Sequence, residues 1–270
     1  EAREVFAPDT ELGRRRSVFG EAPEHDGDAV MEALITREPI TVVLSQQGWL
    51  RALKGHVADL SNTKFKDGDD LALSVQMETT DKLILMSSDG RAFTLGGDKL
   101  PSGRGQGEPI RFQIELEEEH SIVDMFKLVP EQKRLMASSG GYGFICPEGE
   151  LVSSRKAGKA VVTTSSDSKL MITKVAEGDM AAVVGENRKL LIFYAADLPE
   201  MPRGKGVKLQ NYKDGGLADA KIFKSEEGFT VTDGAGRQRT FPDWQDYMGR
   251  RASAGRMAPR GFPRNGTFSG

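Results

Sequence analysis

The sequence predicts an all-β protein of about five small, similar antiparallel sheets arrayed radially, and three observations carry that prediction. Glycine is abundant, at 31 of 270 residues, while apolar residues make up only 38%, a balance that suits many short strands joined by turns. A turn glycine or asparagine recurs at Gly48, Gly90, Gly141, Asn187 and Gly236, in steps of 42, 51, 46 and 49 residues. A period in the high forties is that of radial blade architectures, whose units run about 40–50 residues. A blade of that size cannot bury its own faces, so its neighbours must stack against it.

Along the chain, residues 1–38 are polar and turn-rich, with "ELGRRRSVFGEAPEHDGD" and a short possible helix near "DAVMEALI". They read as a linker or the end of a preceding domain, and a chain that starts with Glu reads as a fragment of a longer protein. Residues 39–252 carry the repeat. The strand-like runs "DLALSVQM", "SIVDMFKLV", "KLMITKV" and "LADAKIFK" precede successive turns. "IRFQIEL" at 110–116 also alternates, which places Ile110, Phe112, Ile114 and Leu116 on one face of an expected strand. Each unit thus supplies roughly four strands. Residues 253–270, rich in Gly, Pro and Arg, read as a disordered tail.

A second feature travels with the turns. Ten or eleven residues after each of the last four comes a large anchor, Leu100, Leu151, Leu198 or Tyr247. An Arg with glycines follows about four residues later: "RGQG" at 104–107, "RKAG" at 155–158, "RGKG" at 203–206 and a looser "RRASAG" at 250–255. The first unit has no such loop and reads "LSNTKFKDGDD" instead. Each loop is followed by β-like sequence rather than a helix, which argues against a mononucleotide phosphate cradle. Repetition points to an extended polyanion. One cationic cluster per unit around a disc makes a curved rim for duplex DNA, with glycines letting backbone amides approach the phosphates.

Charge agrees with that direction. The net charge is −3, but residues 1–37 hold nine acidic and five basic side chains, and residues 247–270 hold five Arg and no acid. Catalytic patterns are missing: no H-E-x-x-H, Walker A or G-x-S-x-G occurs, and His25, His56, His120 and Cys146 have no zinc-ligand spacing. Cys146 reads as a small buried hydrophobe, a lone cysteine fits a reducing cytosol, and carboxylates 115–119 read as a solvated edge. No apolar run approaches a membrane span. Trp49, Leu100, Leu151 and Leu198 are assigned to packing.

The strings "EPITVVLSQQGWLRALKGH" (38–56), "LPSGRGQGEPI" (100–110), "LMASSGGYGFIC" (135–146) and "RKAGKA" (155–160) resemble the C-terminal domains of bacterial topoisomerase IV A subunits, in the gyrase A/ParC β-pinwheel family. Segment 11–37 resembles the stretch that joins the cleavage core to such a domain. The resemblance implies a β-pinwheel, a propeller-like disc of about five four-stranded blades that exchange strands, in a ring that need not close. It implies a rim that binds and bends duplex DNA and presents the transported segment for decatenation and supercoil relaxation. The cleavage tyrosine, the ATP and Mg sites and the ParE subunit would lie outside this chain, in a holoenzyme of two A and two B subunits. A cytoplasmic, nucleoid-associated setting, peripheral to the inner membrane at most, goes with it. Nothing matches the gyrase box "QRRGGKG", which favours topoisomerase IV over a gyrase-type wrapping domain; a protein-interaction propeller is the other reading. Carried onto this chain, the DNA contacts are Arg51, Lys54, Arg91, Arg104, Arg155, Lys156, Lys159, Arg188, Lys189, Arg203 and Lys205, with Arg237, Arg250 and Arg251 as weaker candidates.

Overall fold

Short apolar runs form hairpins here, and the chain links them by leaving each sheet one strand short until a later segment comes back. The computed structural model describes residues 33–269; the expectations for residues 1–32, including most of the short helix, lie outside the described residues. β1 (Pro39–Ser45) and β2 (Trp49–Lys54) form the first hairpin, and β3 (Leu71–Glu78) returns beside β1. β4 (Lys82–Ser87) and β5 (Arg91–Gly96) begin a second sheet, after which a two-residue strand, β6 (Glu108–Pro109), goes back to β2. β7 (Ile122–Lys127) then lies beside β4.

The cycle repeats. β8 (Lys133–Ser138) and β9 (Tyr142–Pro147) open the third sheet, β10 (Lys159–Ala160) returns to β5, and β11 (Leu170–Val175) joins β8. β12 (Met180–Gly185) and β13 (Lys189–Tyr194) open the fourth, β14 (Val207–Lys208) returns to β9, and β15 (Leu217–Phe223) joins β12. β16 (Phe229–Thr232) and β17 (Gln238–Phe241) pair as a fifth sheet, and β18 (Arg256–Met257) returns to β13. Four sheets therefore have four antiparallel strands, in the orders β3-β1-β2-β6, β7-β4-β5-β10, β11-β8-β9-β14 and β15-β12-β13-β18. The fifth has two, fewer than the expected four.

Period-two alternation divides the central strands of the second, third and fourth sheets between two cores. In β4, Leu83 and Leu85 face the first sheet, while Ile84 and Met86 face the third. Leu135 and Ala137 of β8 likewise pack toward the fourth sheet, and Met136 toward the second. Burial on both faces explains near-continuous runs such as "KLILMS" and "MAAVVG". Four clusters result, each between successive sheets, and none of the four holds residues of both the first and fifth. Fully buried Phe93, Phe144, Phe193 and Phe229 fill one cluster each, at about 1.5–3 kcal/mol per side chain. The expected anchors close the wedges: Leu100, Leu151, Leu198 and Tyr247 each enter a different cluster, at or just after a 3-10 turn.

Each returning strand crosses the hairpin before it at a glycine. Gly107, Gly158, Gly206 and Gly255 all have φ between 69° and 82°. A Cβ there would stand 2.3, 2.8, 2.2 and 2.5 Å from the carbonyl oxygens of Leu50, Ala92, Gly143 and Leu190. Positive φ and backbone contact together leave no room for a side chain. The last glycine of each Arg-Gly loop is thus taken up by strand exchange.

Four other expectations are corrected. Residues 110–116 are not a strand: Ile110–Phe112 is a 3-10 turn, with Gln113 and Ile114 N–H donating to Ile110 O. Ile110 and Ile114 are buried one helical turn apart, while Phe112 is 69% exposed. The fourth hairpin turns through Arg188 (φ 61°), not Asn187; its N–H donates to Gly185 O as Gly48, Gly90 and Gly141 donate to Ser45, Ser87 and Ser138. Residues 256–269 are ordered: β18 pairs with β13, and Phe262 and Phe268 are buried in the last cluster. Phe268 N–H donates to the buried Asp219 carboxylate at 2.8 Å, and Thr232 N–H to Phe268 O at 2.8 Å. Aromatic burial outweighs a composition that reads as disordered. Finally, the Arg-Gly loops follow the second to fifth hairpins but serve the first to fourth sheets, so the fifth sheet, not the first, is without one.

Gly206→Ala should cost about 2 kcal/mol or more in urea unfolding, from left-handed strain plus the clash with Gly143 O; a cost below about 0.5 kcal/mol would mean that the crossing is loose. Burial pushes the Lys221 ammonium down to about 8, whereas the unfolded chain holds that proton to about 10.4. Between these values the unfolded state binds more protons, so stability from this group rises with pH. Wild type should gain thermal stability relative to Lys221→Met between pH 8 and 10, and a pH-independent difference would contradict this.

Candidate nucleic-acid interface

The segment after each anchor takes one path four times. It passes the second hairpin strand of the preceding sheet, through Ser102 beside Ala52, Ser153 N–H on Thr94 Oγ1 at 3.0 Å, Glu200 beside Ile145 and Met248 beside Ile192. It then turns through the Arg-Gly loop and enters the edge strand β6, β10, β14 or β18. Arg104, Arg155 and Arg203 each lie three residues before the crossing glycine. In the fourth loop that place is Ala252 (φ 65°), with Arg250 and Arg251 just before it. Arginines spread from position 104 to position 203 thus occupy one edge position in three successive sheets, and the fourth sheet carries Arg250 in the corresponding loop.

Exposure sorts the expected contacts. Lys54, Arg104, Arg155, Lys156, Arg203, Lys205, Arg237 and Arg250 are exposed, and Arg91 and Lys189 are half-buried. Lys159 is half-buried, with its ammonium on Glu150 O and 3.9 Å from the Glu150 carboxylate. Arg237 is held by Asp233 at 2.9 Å, and hydrogen bonds from the Arg237 backbone N–H and then its guanidinium keep the Asp233 carboxyl below the usual range. Arg188 donates to Pro263 O at 3.2 Å and Arg264 O at 3.0 Å. Arg251 donates to Lys208 O at 2.6 Å.

Arg51 is corrected outright, because it is only 6% exposed. Its guanidinium donates to Gly105 O and Lys64 O and lies 5.4 Å from the Phe65 ring. A buried cation must find partners, and these carbonyls supply them while clamping the β2–β3 connection to the first Arg-Gly loop. Sequence reasoning also passed over four exposed cations: Lys64 and Lys66 in that connection, Lys208 in β14 and Arg256 in β18. The cation–aromatic–cation run "KFK" was the available signal for the first two. Lys66 Nζ lies 3.3 Å from the Trp49 ring centroid.

Other reactive-looking groups are structural. Burial pushes the Cys146 thiol up to about 12, so no thiolate nucleophile forms there near neutral pH. Buried Glu148 accepts from Val129 N–H, Gln132 and Arg134, and Arg134 stacks 3.4 Å from the Phe126 centroid, tying the second sheet to the third. Residues 115 and 117–119 are an exposed acidic edge, as expected. No helix among the described residues is long and apolar enough to cross a membrane.

The repeated sheets and loops have counterparts of known kind. A family model described as the DNA gyrase C-terminal domain, beta-propeller, matches residues 81–128, 135–175 and 179–218. The chain is 53% identical over 253 residues to the A subunit of DNA topoisomerase 4 from Caulobacter vibrioides, covering 94% of this chain and 33% of that protein. The solved Escherichia coli ParC C-terminal domain is 32% identical, with a TM-score of 0.74, covering 84% of this chain and 96% of that one. The chain belongs to this family of C-terminal domains from gyrase and topoisomerase IV. It spans about a third of the length of the curated relatives it matches. A second solved C-terminal domain of DNA topoisomerase IV, 17% identical with a TM-score of 0.67, shares the fold. The β-pinwheel of the family is the arrangement of exchanged strands described above.

Because Arg51 bonds two loops at once, Arg51→Met should speed amide hydrogen exchange in both 55–70 and 102–107 while β1 and β2 stay protected. Unchanged exchange in either loop would show that the clamp is dispensable.

Proposed function

We propose that this domain binds duplex DNA along the edge that carries the Arg-Gly loops, bends it, and presents the transported segment within a topoisomerase IV holoenzyme. The observation that carries the reading is the placement of Arg104, Arg155 and Arg203 at one edge position on three successive sheets, with Arg250 in the corresponding loop of the fourth. Family membership supports it independently. Cations spaced along a curved edge neutralise phosphates and release counterions without reading bases. Bending a 20–30 bp site costs about 1–6 kcal/mol, so several loops must act together to hold a curve. In this reading ParE and the cleavage core of the same polypeptide supply the cutting tyrosine, ATP and Mg, and the site of action is the nucleoid.

The lack of a gyrase-type box favours topology-sensitive capture over tight wrapping. Arg155 and Lys156 are the test, since both are exposed and the bond from Lys156 to the neighbouring segment, in which its carbonyl accepts from Glu115 N–H, is made by its backbone. Reversing both to Glu should weaken duplex binding about 10–100-fold at low salt and flatten log K against log salt by about two units. Unchanged affinity and slope in a folded variant would sink the rim and favour a protein-interaction propeller.

A further inference from the structure

Beside the Arg-Gly row, the hairpin ends carry a second regularity. The turns close by equivalent bonds, from Gly48, Gly90, Gly141, Arg188 and Gly236 N–H to the carbonyl three residues earlier, at 2.8–3.0 Å. The next residues are Trp49, Arg91, Tyr142, Lys189 and Arg237. The first four pair with the second residue of each exchanged strand, Pro109, Ala160, Lys208 and Met257, so their register is the same in all four complete sheets. Three of the five are cations. The other two are aromatic, and each has a lysine ammonium on its face: Lys66 at 3.3 Å from the Trp49 centroid and Lys205 at 4.1 Å from that of Tyr142.

Those two lysines arrive by different routes. Lys205 stands one residue before crossing glycine Gly206, in the loop that leads to β14. The matching place in the first loop is Gln106, and there the cation comes from the β2–β3 connection instead. Core packing gives no reason for this, since both lysines are exposed. Among the described residues, Arg91, Lys189, Lys66 and Lys205 are ion-paired with no carboxylate. A lysine laid on an aromatic face has already lost much of its rotamer freedom, so less remains to be lost when it meets a phosphate.

We propose that the position after each of the first four hairpin turns forms a second row of DNA-phosphate contacts, one cation per sheet, in which Trp49 and Tyr142 are seats that position Lys66 and Lys205. This rests on the DNA-edge reading above. It makes Lys66, on a unit without an Arg-Gly loop in sequence, a contact residue, and it gives the two aromatic residues a positioning role rather than a stacking one.

The test is duplex binding by the whole 270-residue chain, measured over a salt series, with melting temperature as the folding control. Lys66→Ala and Lys205→Ala should each weaken binding about three- to tenfold and lower the salt slope by about one. Trp49→Leu should weaken binding a few-fold without changing the slope, because the charge remains, and Trp49→Phe should restore part of the loss. The double variant Trp49→Leu/Lys66→Ala should bind no more weakly than Lys66→Ala alone, which separates seating from damage to the fold. Lysine variants that bind like wild type, while the Arg155/Lys156 reversal weakens binding, would overturn the second row and leave the edge reading standing. Lysine losses with Trp49→Leu unaffected, or a double variant additive in its losses, would overturn the seats. No effect from any variant, the Arg155/Lys156 reversal included, would bring down the edge reading itself.

Discussion

The crossing of each exchanged strand over the preceding hairpin, at a glycine pressed against a carbonyl, is the constraint from which the rest follows. A two-residue strand cannot hold a sheet edge by its own pairing, so it is wedged by the anchor before it and by the apolar residue after it, as with Leu151 and Val161. Each sheet is thereby completed by chain that has already built the next one. Neighbouring sheets cannot separate without losing both a shared core and an edge strand. The exchanged strands also cover edges that would otherwise be open to pairing with another chain.

That constraint decides where charge goes. Because each crossing segment must turn sharply before re-entering a sheet, it leaves a short exposed loop at one fixed place, and Arg104, Arg155 and Arg203 stand there. Other cations are consumed inside. Arg51 clamps two loops, Arg134 joins the second and third sheets through Glu148 and Asp124, and Lys174 bridges to Asp219 at 2.5 Å between the third and fourth. A net charge of −3 is therefore compatible with a basic edge. The seams between sheets use some arginines and lysines as cement, and the loops keep Arg104, Arg155 and Arg203 at the surface.

The repeat was legible because glycine at a turn or a crossing has a backbone reason to recur, and an anchor leucine has a core reason. Strand runs such as "KLMITKV" were legible because their period survives burial on both faces. Failures came where two physical effects share one pattern. Ile110 and Ile114 fit a strand face as well as one helical turn, and only the pull of the strand before them chose the turn. Asn187 looks like the residue for positive φ, yet Arg188 takes it, with its guanidinium held by the carbonyls of Pro263 and Arg264. The Arg-rich end reads as disordered by composition, but Phe262 and Phe268 find an aromatic cluster with Phe229 and Phe241.

By itself the sequence determined the all-β class, the repeat, the anchors and the existence of four basic loops, since each rests on local chemistry: turn conformation, alternation and charge. Which sheet each loop serves was decided only in three dimensions, because two residues of strand carry too little pattern to name a partner. For the same reason the sheet without a loop is the fifth and not the first. Arg51 and Arg104 look alike in sequence, and only their depth beneath neighbouring loops separates a clamp from a surface charge.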